Sequence, residues 1–312
     1  MAIIRWKLSS VWNDPRVALG LVHLLCVCTI VATLTTFFAV GHNVREVCEL
    51  IKESTLYRSF KVNRDKICLD RLPTISYTGI LMPEQSIFAV GLSLAAMGGF
   101  RAFYLIGRAQ LDCIDRHCAL EGKGANEVLA TTPPLLSLLA RILARLDFCG
   151  LCRAPEDQKL TSLCQTTIRV GQMSSFWMLP TACVSMKHSI MIHGLSAFLF
   201  FGLACVHVCC TYSIQHNLIA HKIVRSDLFE TSRRIKELAL RCAGFFFFAG
   251  LAVYFSLRFS SYQVYLYTMA GALAQYLTVL WLMVGFSTYY VDLTVLLNGG
   301  EKPQEKGQEI DL

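Results

Sequence analysis

Six stretches of this chain stay apolar over lengths that a soluble core does not need. They run over residues 17–40, 87–106, 163–184, 193–214, 238–257 and 264–289. A helix that crosses a bilayer takes about 20 mostly apolar residues, and each stretch is of that order. The third is the most polar, with Gln165, Arg169, Gln172 and Pro180 inside it. Charged residues make up only 16% of the chain, against about a quarter in a soluble protein. The expected fold is therefore all-α: a polytopic membrane helical bundle of six transmembrane helices, forming a single membrane domain over 1–312.

Basic residues collect on the cytosolic side of a membrane. Placing the N-terminus in the cytosol puts most of the 29 Lys and Arg residues inside, so both termini are expected to be cytosolic. That orientation gives a lumenal loop over 41–86 and a cytosolic loop over 107–162. A Gly- and Pro-containing polar tail over 298–312 is expected to be disordered. The first apolar stretch is longer than a signal-peptide core and no small-residue cleavage site follows it, so it reads as a signal anchor. No basic patch with interleaved aromatics points to nucleic acid; the expected partners are membrane lipids.

The 14 cysteines sort by side. Most lie within spans, where a thiol packs as a small apolar group. Cys48 and Cys68 share the lumenal loop, where an oxidising compartment favours a disulfide between them. Cys113, Cys118, Cys149 and Cys152 fall in the cytosolic loop at spacings that invite a zinc reading. A reducing side and the long stretch between the pairs argue against metal, and none is expected. Cys149 and Cys152 instead follow an amphipathic stretch over 133–148 that suits a membrane surface, and S-acylation fits them better.

Polar groups inside the spans are costly and need partners. Arg101 lies near the inner end of the second span, placed to reach headgroups or a buried partner. His193 opens the fourth span and His207 falls on nearly the same helical face. His23 and Gln275 are further interior polar groups, and Gln275 is expected to bond across to a neighbouring helix. The segment "RLPTISYTGILMPEQSIF", 71–88, is a polar, turn-rich approach to the second span. Its Thr74, Ser76, Tyr77 and Thr78 supply hydroxyls for a headgroup, or for local turns. Glu84 would cap the helix that follows, where the helix dipole favours a carboxylate, or orient an imidazole. No Walker loop, G-x-S-x-G or H-E-x-x-H motif occurs.

"LPTISYTG", "GGFRAFYL", "LCQTTIRVGQMSSFWMLPTACVSMKHSIMIHGLSAF", "FFFFAGLAVYFSLRF" and "VYLYTMAGALAQYLTVLWLMVGFSTYYVDL" occur in this order. In wording, order and spacing the chain resembles the post-GPI attachment to proteins factor 2 family. That family sits in a six-span superfamily shared with DRAM-type and Sfk-type proteins. The resemblance covers most of the chain apart from the loop over 107–162, which is longer than the family leads one to expect. The "ISYTG" wording leans toward the DRAM-type branch.

The resemblance implies lipid remodelling of GPI anchors: reacylation of lyso-GPI-anchored proteins with a saturated fatty acid, as enzyme or essential accessory, in the Golgi or the endoplasmic reticulum. Its implied partners are GPI-anchored proteins. No resident cofactor is expected, only an acyl donor. Acyl transfer needs a base beside the accepting hydroxyl, and His193 matches the family at the outer boundary. Thr74, Ser76, Tyr77, Glu84 and Arg101 are the matching candidates for lipid or headgroup contact. The rival expectation is a non-enzymatic, DRAM-like modulator of membrane trafficking or autophagy.

Overall fold

The computed structural model describes residues 14–39, 46, 49, 75–76, 79–122, 124, 159–256 and 264–298. Thr74, Tyr77, Thr78, Cys48, Cys68, the amphipathic stretch with Cys149 and Cys152, and the tail beyond Asn298 lie outside them. Six long helices carry the fold: α1 (Pro15–Ala39), α2 (Glu84–Glu121), α3 (Leu160–Cys183), α4 (Ile190–Ala220), α5 (Asp227–Ser256) and α6 (Val264–Leu297). Four of them are long and apolar enough to cross a membrane: α1, α2, α4 and α6. The other two are long but more polar. Helix α3 carries Arg169 and two glutamines, and the first half of α5 is charged.

Neighbours in sequence are neighbours in space. Helices α1 to α4 pack serially, α5 packs on α6, and α6 closes the bundle against α1, α2 and α4. The facing residues show that each sequential pair is antiparallel. Gly91 of α2 abuts Thr29 of α1 while Gly98 abuts Val22. Gly99 faces Ser175 of α3, and Gly107 faces Ile168. Gly250 of α5 lies opposite Ala274, and Ala239 opposite Gly285 of α6. Small residues at these crossings let helix backbones approach where no hydrophobic force separates protein from lipid.

Large apolar side chains point outward along the same helices. Leu24, Val27, Val31, Val90, Met97 and Phe248 are all more than half exposed. In water such a belt would be an aggregation surface, whereas in a bilayer it is the solvated face.

The helices overrun the expected spans, mostly at one end. Helix α2 continues from 107 to Glu121, α4 runs to Ala220, α5 begins at Asp227 and α6 reaches Leu297. Cys113 and Cys118 consequently lie on a helix rather than in a loop. The overhang has its own core, built on Ile114, Leu160, Ile214, Leu218, Phe229 and Leu293. Arg116 donates from Nη2 to the carbonyl of Leu296 at 2.9 Å, tying α2 to the end of α6.

Candidate functional site

At the opposite end of the bundle, α3 turns sharply into α4. Pro180 lacks an N–H and removes one bond from the last turn of α3. The N–H of Val184 still reaches the Pro180 carbonyl at 2.9 Å. Ser189 then caps α4, its hydroxyl accepting from the Ile192 N–H at 3.3 Å. This turn brings the Val184 carbonyl to 2.7 Å from Nδ1 of His193. A carbonyl only accepts, so Nδ1 carries the proton and Nε2 of the neutral ring is an acceptor.

The group that meets Nε2 is the hydroxyl of Ser76, at 2.8 Å. Ser76 therefore donates to an imidazole whose far side is fixed by main chain. Ser76 is pinned through its neighbour as well: the Ile75 N–H donates to Oε1 of Gln275 on α6 at 2.9 Å. His193 is 3% exposed, so the pair is buried on the imidazole side. Beneath Ser76 opens a cavity of about 70 Å³ lined by apolar side chains from five helices, among them Cys26, Phe88, Met178, Phe200 and Val279. Ser76, Thr181 and Gln275 also border it, although its surface is almost wholly apolar, and the Thr181 hydroxyl is already committed to the Trp177 carbonyl at 2.9 Å. His193 does not line the cavity; it stands behind Ser76.

The structure thus joins two of the residues singled out from the sequence, Ser76 and His193. Glu84 is the first residue of α2 and is buried, 2% exposed. Both ring nitrogens of His193 are otherwise engaged, so the Val184 carbonyl fills the orienting place considered for Glu84. Arg101 is not part of this constellation. It lies 17 residues along α2 from Glu84, about 25 Å by helical rise, with its guanidinium 5.3 Å from the Tyr104 ring centroid. Gln275 bonds the main chain of the segment before α2, not a neighbouring helix as its position suggested. His23 on α1 is placed against the Leu19 carbonyl at 2.8 Å and the Met283 carbonyl of α6 at 3.2 Å.

A family model described as the Frag1/DRAM/Sfk1/Cwh43P N-terminal domain matches residues 20–295, all but the ends of α1 and α6. The chain belongs to that family. No curated protein and no solved structure matches it. It is a multi-pass, all-helical membrane protein of the Frag1/DRAM/Sfk1 type.

This Frag1/DRAM/Sfk1 bundle holds a second polar centre that sequence reasoning missed. Asp292 of α6 pairs with Lys236 of α5 inside the overhang, both fully buried. The Asp292 carboxylate also accepts from Ser232 at 2.5 Å and from Nε2 of Gln215 at 2.6 Å. Lys236 lies 4.8 Å from the Tyr289 ring centroid. The Tyr289 hydroxyl donates to Thr211 at 2.9 Å, and Thr211 to the His207 carbonyl at 2.8 Å. His207 in turn donates from Nδ1 to the Thr167 carbonyl at 3.0 Å. The centre links α3, α4, α5 and α6. Its signal in the sequence was a lone carboxylate in the apolar run of the last helix, a group that demands a partner. Among the described residues, no group of three or more His, Cys, Asp or Glu side chains is placed to hold a metal ion.

Proposed function

We propose that this protein remodels GPI anchors by reacylating lyso-GPI-anchored proteins with a fatty acid, as a six-span membrane protein of the Golgi with both termini in the cytosol. The observation that carries the chemistry is the Ser76–His193 hydrogen bond above an apolar cavity. Acyl transfer needs a hydroxyl, a base with an acceptor nitrogen, and an apolar seat for the acyl group. All three meet at the end of the bundle assigned to the lumen, where the GPI glycan resides. A cavity of about 70 Å³ seats the head of an acyl chain; the remainder would lie along the lipid-facing surface. The identity of the lipid rests on the resemblance to the post-GPI attachment to proteins factor 2 family. The partners are accordingly lyso-GPI-anchored proteins and an acyl donor, with no resident cofactor.

The test is metabolic labelling. Cells lacking the protein are fed a saturated fatty acid, and GPI-anchored proteins are isolated. The expected result is loss of label and loss of surface retention, both restored by the wild-type chain. Normal labelling and retention in the deficient cells would overturn the assignment and favour a DRAM-like modulator of membrane trafficking.

A further inference from the structure

In a direct transfer, the lysolipid hydroxyl would hand its proton to His193 while attacking the acyl donor. The geometry does not suit that first step. Nε2 is occupied by Ser76 at 2.8 Å, the imidazole is buried, and of the two residues only Ser76 borders the cavity. An acyl carbonyl at that border would lie nearer the serine than the imidazole behind it.

We propose that Ser76 is a covalent nucleophile, that transfer runs through an acyl-Ser76 ester, and that Gln275 donates to the oxyanion. The inference rests on the acyl-transfer reading above and goes beyond it in mechanism. In the first half, Ser76 Oγ attacks the carbonyl carbon of an acyl ester or thioester and its proton passes to His193 Nε2. The bond from that carbon to the leaving oxygen or sulfur breaks, and the leaving group takes the proton from Nε2. Departure of the leaving group then frees Nε2. In the second half a lysolipid hydroxyl gives its proton to Nε2 and attacks the acyl-Ser76 carbon. Ser76 Oγ leaves and recovers the proton. The Val184 carbonyl holds the imidazole in the required tautomer throughout, the role a carboxylate plays in other nucleophile–base pairs.

Gln275 is placed for the charge that develops. The Ile75 N–H marks one amide atom as the oxygen. The other half of the fork is an NH₂ with two donors, on a side chain that lines the same cavity as Ser76. Ile75 and Ser76 are adjacent, so the amide is anchored one residue from the nucleophile. A preorganised donor at a developing oxyanion contributes about 10²–10³-fold in rate.

The experiment uses the full-length protein in native membranes and a long-chain alkyl fluorophosphonate, followed by peptide mass spectrometry. Wild type is expected to be phosphonylated on Ser76. Ser76→Ala should abolish the label, and His193→Gln should slow labelling about 10²–10⁴-fold. Gln275→Glu keeps an oxygen for the Ile75 N–H but removes the donor, and should slow labelling about 10²–10³-fold. Dipalmitoyl phosphatidylcholine and palmitoyl-coenzyme A are offered in separate arms, and the one that leaves a palmitoyl ester on Ser76 identifies the donor.

An unlabelled Ser76 in the wild-type protein overturns the inference whatever the variants do. So does labelling that His193→Gln leaves at the wild-type rate. Full labelling in Gln275→Glu overturns the role of Gln275. If Ser76→Ala still supports GPI reacylation in cells, the covalent step falls and the acyl-transfer function stands. If Ser76 is labelled but deficient cells reacylate GPI normally, the nucleophile stands and the GPI assignment falls.

Discussion

Lys236 and Asp292 form an ion pair with side chains 0% and 1% exposed, joining α5 to α6. A buried charge left alone is far more costly than a buried pair is helpful. Lys236→Met should therefore lower stability by about 3–5 kcal/mol. In Lys236→Met/Asp292→Asn the asparagine still accepts from Ser232 and Gln215 and no charge is stranded, so most of the loss should return. Thermal unfolding of the detergent-solubilised single and double variants gives the comparison; additive losses would contradict it.

Gly171 of α3 packs against His207 of α4 and Phe103 of α2. A Cβ there would sit 2.8 Å from His207 Nδ1 and 2.9 Å from Phe103 Cβ. Gly171→Ala should cost about 1–3 kcal/mol as overpacking. Gly244, with nothing within 4 Å of an added Cβ, is the control. Gly244→Ala should be neutral or stabilising, because alanine restricts the unfolded chain.

Ser76 and His193 act as a unit if the hydrogen bond between them is functional. Each alanine variant should lower acyl transfer by about 10²–10⁴-fold. The double variant should be no slower than the slower single one, as for other coupled catalytic groups. Rates of saturated fatty acid transfer in membranes expressing each variant decide this, and multiplicative losses would argue for separate roles.

Ala197 lines the cavity under Ser76. Ala197→Phe should fill it and lower acyl transfer by at least about 10-fold, the rate equivalent of about 1.4 kcal/mol. The fluorophosphonate label on Ser76 should fall in parallel when the probe has a long alkyl chain. It should fall much less with a methyl probe, because the obstruction fills space that only a long chain would need.

Glu230, in the first turn of α5, accepts from Arg233 at 2.6 and 2.9 Å and from Arg234 at 3.2 Å. Hydrogen bonding to Arg233, foremost among these, holds its carboxyl below the usual carboxylate range despite some desolvation. A depressed folded-state pKa adds stability that is fully present above the unfolded value and is lost as pH falls through the folded one. The stability difference between wild type and Glu230→Gln should be constant above about pH 5 and shrink below about pH 4. Unfolding midpoints across that range supply the check.

The helical class was legible because apolar length alone dictates it; an apolar stretch in a bilayer must satisfy its backbone internally. The ends of the helices were not. Apolar length reports the lipid-facing part, while the overhang of α2, α4, α5 and α6 is held by a packed core whose pattern mixes polar and apolar residues. His193 and Ser76 were both visible as residue types. Their contact was not, because it depends on how the α3–α4 turn aims an imidazole at a segment more than a hundred positions away. Lys236 reads in sequence as one more inner-loop base; only the antiparallel register of α5 and α6 reveals its carboxylate.

The bond from Ile75 to Gln275 spans 200 positions of the chain. A ribosome delivers the N-terminal part first, and helices α2 to α4 each have a predecessor to pack against as they emerge. Ser76 and His193 are thus in place before α6 exists, yet the amide that anchors them comes with the last helix. A chain cut short before α6 would carry the hydroxyl and the imidazole without the amide that anchors Ile75. Completion of synthesis is then itself the step that assembles the site, and no nascent fragment presents it whole.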